Sequence, residues 1–177
     1  MLHGDKIRLR ALERSDIPTF VRWFNDPDIR RMLLITDPMS RAGEERWFEA
    51  QLESKDKVFG IEVDAGDGGR RLIGNIGLVR INWKDRVASI GIVIGEKELW
   101  GQGYGQDAIA TMEQFAFDEL NLHRLELEVF EFNSKARRCY EARGFKLEGT
   151  RREALFRDGR YNDVHQMGLL ASERVED

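Results

Sequence analysis

The chain has 177 residues, of which 41% are hydrophobic and 34% are charged, and its formal net charge is −4. This length and composition predict a single soluble domain over residues 1–177, without a membrane-length apolar run or the apolar core of a secretory signal. We therefore expect a cytoplasmic protein with no membrane partner, and a single cysteine with three histidines at no zinc-ligand spacing predicts no metal.

The N-terminal half of the chain is predicted to alternate strands and helices. Ser15 is placed to cap the first helix, and the glycine-rich turn at 66–69 joins two strands as a hairpin. The expected strands are residues 6–10, 58–63 and 72–81, and the expected helices run from 15 to about 25 and from 41 to 53.

In the C-terminal half, an apolar strand leads through a glycine-rich turn into an amphipathic helix. A later, shorter helix begins at Asn133, which is placed to cap it, and ends at Gly144. The expected strands are residues 87–94, 124–131, 146–156 and 162–170, the last two joined by an Asp158-Gly159 turn. The expected inward helix positions are Ile109, Met112, Phe115, Ala116 and Leu120, then Ala136, Cys139 and Tyr140.

The glycine-rich turn of the C-terminal half, called the glycine turn below, is Trp100-Gly101-Gln102-Gly103-Tyr104-Gly105. Such a turn exposes backbone N–H groups at a helix N-terminus, where anionic phosphate binds. Its spacing does not match a dinucleotide fingerprint, and a Walker loop is excluded because Gln106 and Asp107 follow the last glycine. A site for a phosphorylated cofactor and a purely structural turn both remain open from this segment alone.

Charge is unevenly distributed along the chain. Residues 133–160 carry nine Lys or Arg residues and four Asp or Glu residues, a net charge of +5, so the rest of the chain carries −9. A basic segment favours an anionic cofactor, and acidic surroundings favour a cationic small substrate over nucleic acid. A solvated surface with chance clustering explains the same charges equally well.

About 30 residues after the glycine turn, residues 133–145 follow the pattern N-x-x-A-x-x-x-Y-x-x-x-G-F. Together, the two motifs resemble the GNAT (GCN5-related N-acetyltransferase) family, in particular its ribosomal-protein and polyamine acetyltransferases. The resemblance extends to residues 7–16, 23–27 and 158–170, and so covers nearly the whole chain. It implies an α+β fold with a mixed, strongly twisted sheet of about seven strands, splayed between residues 87–94 and 124–131, and it leaves room for a homodimer.

The resemblance also implies the ligand and the reaction. Acetyl-CoA would insert its pantetheine arm into the splay, with its amides paired to the backbone of Ile92, Val93 and Ile94. Its pyrophosphate would lie on the N–H groups of Trp100, Gly101, Gln102, Gly103, Tyr104 and Gly105. Asn133 matches the residue that hydrogen-bonds the pantetheine arm, and Tyr140 matches the tyrosine that protonates the departing sulfur. A phenol of pKa about 10 can donate to a thiolate whose thiol pKa is near ~8.5.

The sequence departs from the family pattern at two positions. Trp100 stands where Gln or Arg is common, but phosphate is held mainly by backbone. Ser89 stands where many relatives carry the glutamate that removes the acceptor's proton, so the base is unassigned. Glu126, Glu128 and His165 are candidates, each with an ordinary structural role as the alternative. Cys139 fits a small buried cysteine better than an acyl-carrying nucleophile.

The function expected from the sequence is acetyl transfer from acetyl-CoA directly to a primary amine. The acceptor would be a polyamine, an amino sugar or aminoglycoside, or a protein N-terminus. Two alternatives stay open: a non-catalytic acyl-CoA-binding module, favoured by Ser89, and a nucleotide-phosphate-binding domain that shares only the glycine turn.

Overall fold

A computed structural model describes residues 1–66 and 68–175, which form an eight-stranded mixed sheet flanked by five α-helices. Asp67, in the predicted 66–69 turn, lies outside the described residues. The strands are β1 (Leu2–His3), β2 (Arg8–Ala11), β3 (Lys57–Asp64), β4 (Arg70–Asn82), β5 (Val87–Ile94), β6 (Arg124–Phe130), β7 (Lys146–Arg157) and β8 (Arg160–Leu170). The helices are α1 (Ile17–Asn25), α2 (Pro27–Arg31), α3 (Arg41–Glu53), α4 (Tyr104–Gln114) and α5 (Ser134–Ala142). A π-helical segment (Phe115–Glu119) extends α4.

The sheet has the order β1-β2-β3-β4-β5-β6-β8-β7. All neighbouring strands are antiparallel except β5 and β6, which pair in parallel at only three positions: Val87 with Arg124, Ala88 with Leu125, and Ser89 with Glu126. Beyond the third pair both strands continue without pairing to each other. The predicted mixed sheet and its splay are therefore confirmed, with the two-residue β1 as a strand that the sequence did not indicate.

Helices cover the two faces of the sheet unequally. On one face, α4 and α5 pack over Leu125, Leu127 and Val129 of β6, with the predicted inward positions of both helices in this core. On the other face, a smaller core that includes Phe20 and Trp23 of α1 packs against the β4 and β5 side. No helix in the described residues is long and apolar enough to cross a membrane.

The N-terminal segment differs from the prediction for a physical reason. Strand β2 begins at Arg8 and not at residue 6, because the carboxylate of Asp107 accepts hydrogen bonds from the backbone N–H groups of Asp5, Lys6 and Ile7 (3.0, 2.7 and 3.0 Å). Those groups are therefore unavailable to a neighbouring strand. Helix α1 likewise begins after a 3₁₀ turn, so its N-cap is Asp16 and not Ser15.

The end of β5 is fixed by close packing against α1. Gly95 follows the strand, and a Cβ built on it would lie 2.0 Å from the ring of Trp23. The indole N–H of Trp23 donates to the buried carboxylate of Glu96 (2.9 Å), which also accepts from Arg22 (2.5 Å) and Arg71 (2.7 Å). Position 95 therefore has room only for glycine.

We expect Gly95→Ala to lower the free energy of unfolding by about 1–3 kcal/mol, the usual cost of overpacking a core. Denaturant titration measures this change. The control is Gly91→Ala, on the same strand segment, where an added Cβ meets no atom within 4 Å, so its effect should stay within about 0.5 kcal/mol. Equal losses in the two variants would contradict the packing argument.

Candidate functional site

The glycine-rich turn presents an open helix N-terminus. Gly101 and Gly103 have φ of +77° and +88°, a left-handed conformation that glycine adopts without steric cost. Helix α4 begins at Tyr104, and no side chain caps it. The N–H groups of a first helical turn have no partner within the helix, so this N-terminus is suited to an anion.

Side-chain hydrogen bonds hold the turn in place. The indole N–H of Trp100 donates to the carbonyl of Ile94 (2.8 Å), which ties the turn to the end of β5. The side-chain amide of Gln102 donates to the carbonyl of Glu98 (2.7 Å), and its backbone carbonyl accepts from Lys6 Nζ (3.2 Å). The backbone that would meet a phosphate is therefore preorganised.

Two ammonium groups lie beside the turn. Lys6 Nζ would be 3.1 Å from a Cβ on Gly103, and Lys135 Nζ of α5 lies 5.7 Å from the centre of the Trp100 ring. Neither lysine was singled out from the sequence. Lys135 could have been, because it follows Asn133 by two residues, but Lys6 is brought to the turn by a contact 96 residues apart.

The segment of β5 beyond the splay has one unpaired edge. Ile92, Val93 and Ile94 pair with β4 on one side only, because β6 has moved away on the other. Such an edge can accept an added extended ligand. The carbonyl oxygen of Ile94 already accepts a hydrogen bond from the Trp100 indole N–H. Only the second lone pair of this oxygen can accept a hydrogen bond from a ligand. Pairing of pantetheine with these residues stays a prediction.

Helix α5 brings Tyr140 and Asn133 to the same region. Tyr140 is buried, its ring packs on Phe145 (5.8 Å between centres), and among the described residues its hydroxyl has no hydrogen-bond partner. Burial raises the pKa of Tyr140 above the usual phenol value, so the group is a proton donor throughout the physiological pH range. The Asn133 side-chain oxygen accepts from the N–H of Ala136 (3.3 Å) as a helix cap, which leaves its amide N–H groups for a ligand.

Cys139 lies where α5 meets the turn, with its sulfur 3.9 Å from a Cβ built on Gly105. Burial raises the pKa of this thiol to about 11. It is therefore protonated at neutral pH and poorly nucleophilic. This agrees with the expectation that it is a packing residue.

On the opposite face of the sheet, a cavity of about 270 Å³ lies at the base of the splay. Ser89, Glu126 and Glu128 all line it, so the structure brings two of the three candidate bases, Glu126 and Glu128, together with Ser89. The other polar residues that line it are Arg80, Arg124, Glu148 and Gln166. His165 is not among them: it pairs with Val129, which places it on the face of α4 and α5, and its Nδ1 contacts Thr150 Oγ1 (2.9 Å).

Ser89 is buried and bound to an arginine that the sequence did not reveal. Its Oγ accepts from Arg80 Nε (3.2 Å) and Nη2 (2.9 Å). Arg80 has φ of +54° at an irregularity between β4 and β5. A local irregularity of this kind aims a side chain in a direction that a regular strand would not predict.

The segment between α2 and α3, residues 32–40, borders the same face. Arg157 Nη2 donates to the carbonyl of Leu33 (2.7 Å), and Arg31 pairs with Asp158 (2.5 Å). Both contacts reach the β7–β8 hairpin, whose predicted Asp158-Gly159 turn is confirmed with positive φ at both residues. The hairpin therefore holds residues 32–40 in place through these two contacts.

Comparison with known proteins places this geometry in context. Residues 6–146 match the family model described as an acetyltransferase (GNAT) domain. The spermidine N(1)-acetyltransferase of Vibrio cholerae is 32% identical over 96% of this chain and 95% of its own length. A Bacillus subtilis putative ribosomal N-acetyltransferase, YdaF, is 34% identical over 58% of this chain and 55% of its own. The crystal structure of the Vibrio cholerae spermidine N-acetyltransferase with CoA and spermine superposes with a TM-score of 0.88, covering 96% of this chain and 98% of that one at 31% identity.

We expect Gly103→Ala to weaken acetyl-CoA binding by at least about tenfold, because a side chain at φ +88° disturbs the backbone N–H groups at the N-terminus of α4. Calorimetric titration without added metal measures the Kd. Gly66→Ala is the matched control: it has a similar φ of +85° with open space around it, remote in sequence from the turn. Unchanged affinity in folded Gly103→Ala would remove the turn from the binding site.

Proposed function

The chain belongs to the GNAT acetyltransferase family and transfers acetyl from acetyl-CoA to an amine, and we propose that its acceptor is a cationic primary amine, with polyamines as first candidates. The observation that carries this proposal is the open splay between β5 and β6. It has a buried tyrosine on one face and a cavity lined by three carboxylates on the other. A thioester held in the splay would be accessible from both faces.

In the proposed complex, the cofactor follows the unpaired edge of β5. Its pyrophosphate lies on residues 100–105, beside Lys6 and Lys135, and its pantetheine arm runs along Ile92, Val93 and Ile94. Asn133 donates an amide N–H to that arm. The thioester then points toward Ser89 and Glu126, where β5 and β6 come together.

The proposed chemistry needs no covalent enzyme intermediate. The amine nitrogen attacks the thioester carbonyl, and the C–S bond breaks with proton transfer from the Tyr140 hydroxyl to sulfur. Burial raises the pKa of Tyr140. The same exclusion of water raises the pKa of the departing CoA thiol, so the difference between the two pKa values stays small enough for proton transfer. Cys139 is not needed as an acyl carrier.

Charge supports a cationic acceptor. The cavity contains the carboxylates of Glu126, Glu128 and Glu148 against two guanidinium groups, and the chain outside residues 133–160 carries −9. The similar Vibrio cholerae enzyme is named for spermidine and binds spermine in its crystal structure. An amino sugar or aminoglycoside, or a protein N-terminus, satisfies the same charge requirement, and YdaF is named as a putative ribosomal N-acetyltransferase.

We further propose that residues 1–177 form one acetyltransferase domain, since similar enzymes align over nearly the whole chain. The homodimer stays a prediction. The non-catalytic module and the nucleotide-binding domain are set aside because the relatives are N-acetyltransferases.

We expect Tyr140→Phe to lower kcat by about 10²-fold with little change in acetyl-CoA affinity, because it removes only the donor hydroxyl. Pre-steady-state acetyl transfer isolates the chemical step. The control is Tyr161→Phe, which removes a phenol hydroxyl from a tyrosine that is 63% exposed and should leave kcat unchanged. An unchanged rate of the chemical step would exclude Tyr140 as the acid.

We expect acetylation of at least one cationic amine, with kcat/KM falling as salt is raised because charge attracts the acceptor. A mass-spectrometric panel of polyamines, amino sugars, aminoglycosides and ribosomal-protein N-terminal peptides measures this. Anionic and neutral amines of similar size serve as controls. Acetylation confined to the controls would contradict the charge argument.

A further inference from the structure

Ser89 and Glu126 occupy the last register pair before β5 and β6 separate. Residues paired across neighbouring strands point to the same face with adjacent Cβ atoms, and both side chains line the 270 Å³ cavity. The Glu126 carboxylate therefore lies in the cavity that a glutamate side chain at position 89 would also enter. It reaches this cavity from β6, whereas position 89 is on β5.

The three carboxylates of the cavity differ in their partners. Glu148 forms two hydrogen bonds with the Arg124 guanidinium, one of them 2.7 Å between Nη1 and Oε1, and these lower its pKa. Glu128 accepts from Arg151 Nη2 (2.8 Å). Within residues 1–66 and 68–175, Glu126 has only a longer contact of 3.6 Å to Arg124 Nε, and 47% of its side chain is exposed. It is thus the least engaged of the three.

We propose that Glu126 is the general base, which accepts a proton from the acceptor ammonium directly or through one water. This assignment rests on the proposed function, because it requires the thioester to lie at the apex of the splay. The nitrogen would then attack from the Ser89 and Glu126 face while Tyr140 protonates sulfur from the α5 face.

The protons balance over the reaction. An alkylammonium has three N–H bonds and the product amide has one, so two protons leave the nitrogen. The first passes to Glu126 before the N–C bond forms and is released to solvent only after acetyl transfer is complete. The second leaves the tetrahedral intermediate and restores Tyr140, whose own proton has gone to the sulfur as the C–S bond breaks. The products are the amide, CoA thiol and one released proton.

The surroundings of Glu126 suit this role. Ser89 Oγ accepts two hydrogen bonds from the Arg80 guanidinium. The Ser89 O–H can therefore donate a hydrogen bond to the Glu126 carboxylate or to a water in the cavity, and so orient it. The other groups facing the cavity are Arg124 and Glu128 from β6, Glu148 from β7 and Gln166 from β8.

The test compares Glu126→Gln with Glu128→Gln, a matched change on the same strand and in the same cavity. The substrate is whichever amine the unmodified enzyme acetylates fastest, so the result does not depend on that amine being a polyamine. At pH 7 we expect Glu126→Gln to lower kcat/KM for the amine by about 10²-fold, and Glu128→Gln to lower it less. The Kd for acetyl-CoA should stay unchanged in both variants.

The pH profile separates catalysis from a structural role. Without the base, only the free amine reacts, so kcat/KM of Glu126→Gln should rise about tenfold per pH unit below the amine pKa near ~10, more steeply than for the unmodified enzyme. Adding Ser89→Glu to Glu126→Gln returns a carboxylate to the cavity and should restore at least about tenfold in rate. Parallel profiles for Glu126→Gln and the unmodified enzyme, a larger loss in Glu128→Gln, or no restoration by Ser89→Glu would overturn the proposal.

Discussion

The site depends on one constraint, that β5 and β6 pair for only three residues and then separate. Each strand is committed elsewhere: β6 pairs with β8 along its whole length, while the end of β5 is held by β4 and by the contact of Gly95 with Trp23. Because neither strand can bend back toward the other, a row of backbone polar groups stays open inside the sheet. Such groups are usually satisfied, and an extended ligand with its own amides can satisfy them.

The same constraint separates the chemical tasks between the faces of the sheet. Tyr140 lies among apolar side chains on the α5 face, where exclusion of water keeps it protonated. The opposite face at this point carries Arg80, Ser89 and the carboxylates, which line one cavity. A buried phenol in a dry environment and several carboxylates in a polar one are thereby held on either side of a single gap.

The helices, the strands and the glycine turn could be predicted because their signals are local, whereas the splayed mixed sheet was implied by the family resemblance. Apolar periodicity gives the helices and strands, and the helix at Arg41–Glu53 has the predicted bounds. The start of β2 could not be predicted, because Asp107, about a hundred residues further along the chain, binds the N–H groups that precede the strand. The contact between Arg80 and Ser89 is closer in sequence, but it depends on an irregularity in β4. The juxtaposition of Ser89 and Glu126 likewise needs a register between strands 37 residues apart, which no local pattern encodes.

The carboxylate of Asp107 ties the N-terminal segment to the start of α4 and so to the glycine turn. Three consecutive N–H groups of residues 5–7 bind it, and Lys6 from the same segment reaches across to Gln102. The first seven residues therefore act as a brace on the start of α4, although they lie about a hundred positions away in the chain. A truncation that removes residues 5–7 would take away these three hydrogen bonds and so loosen the start of α4.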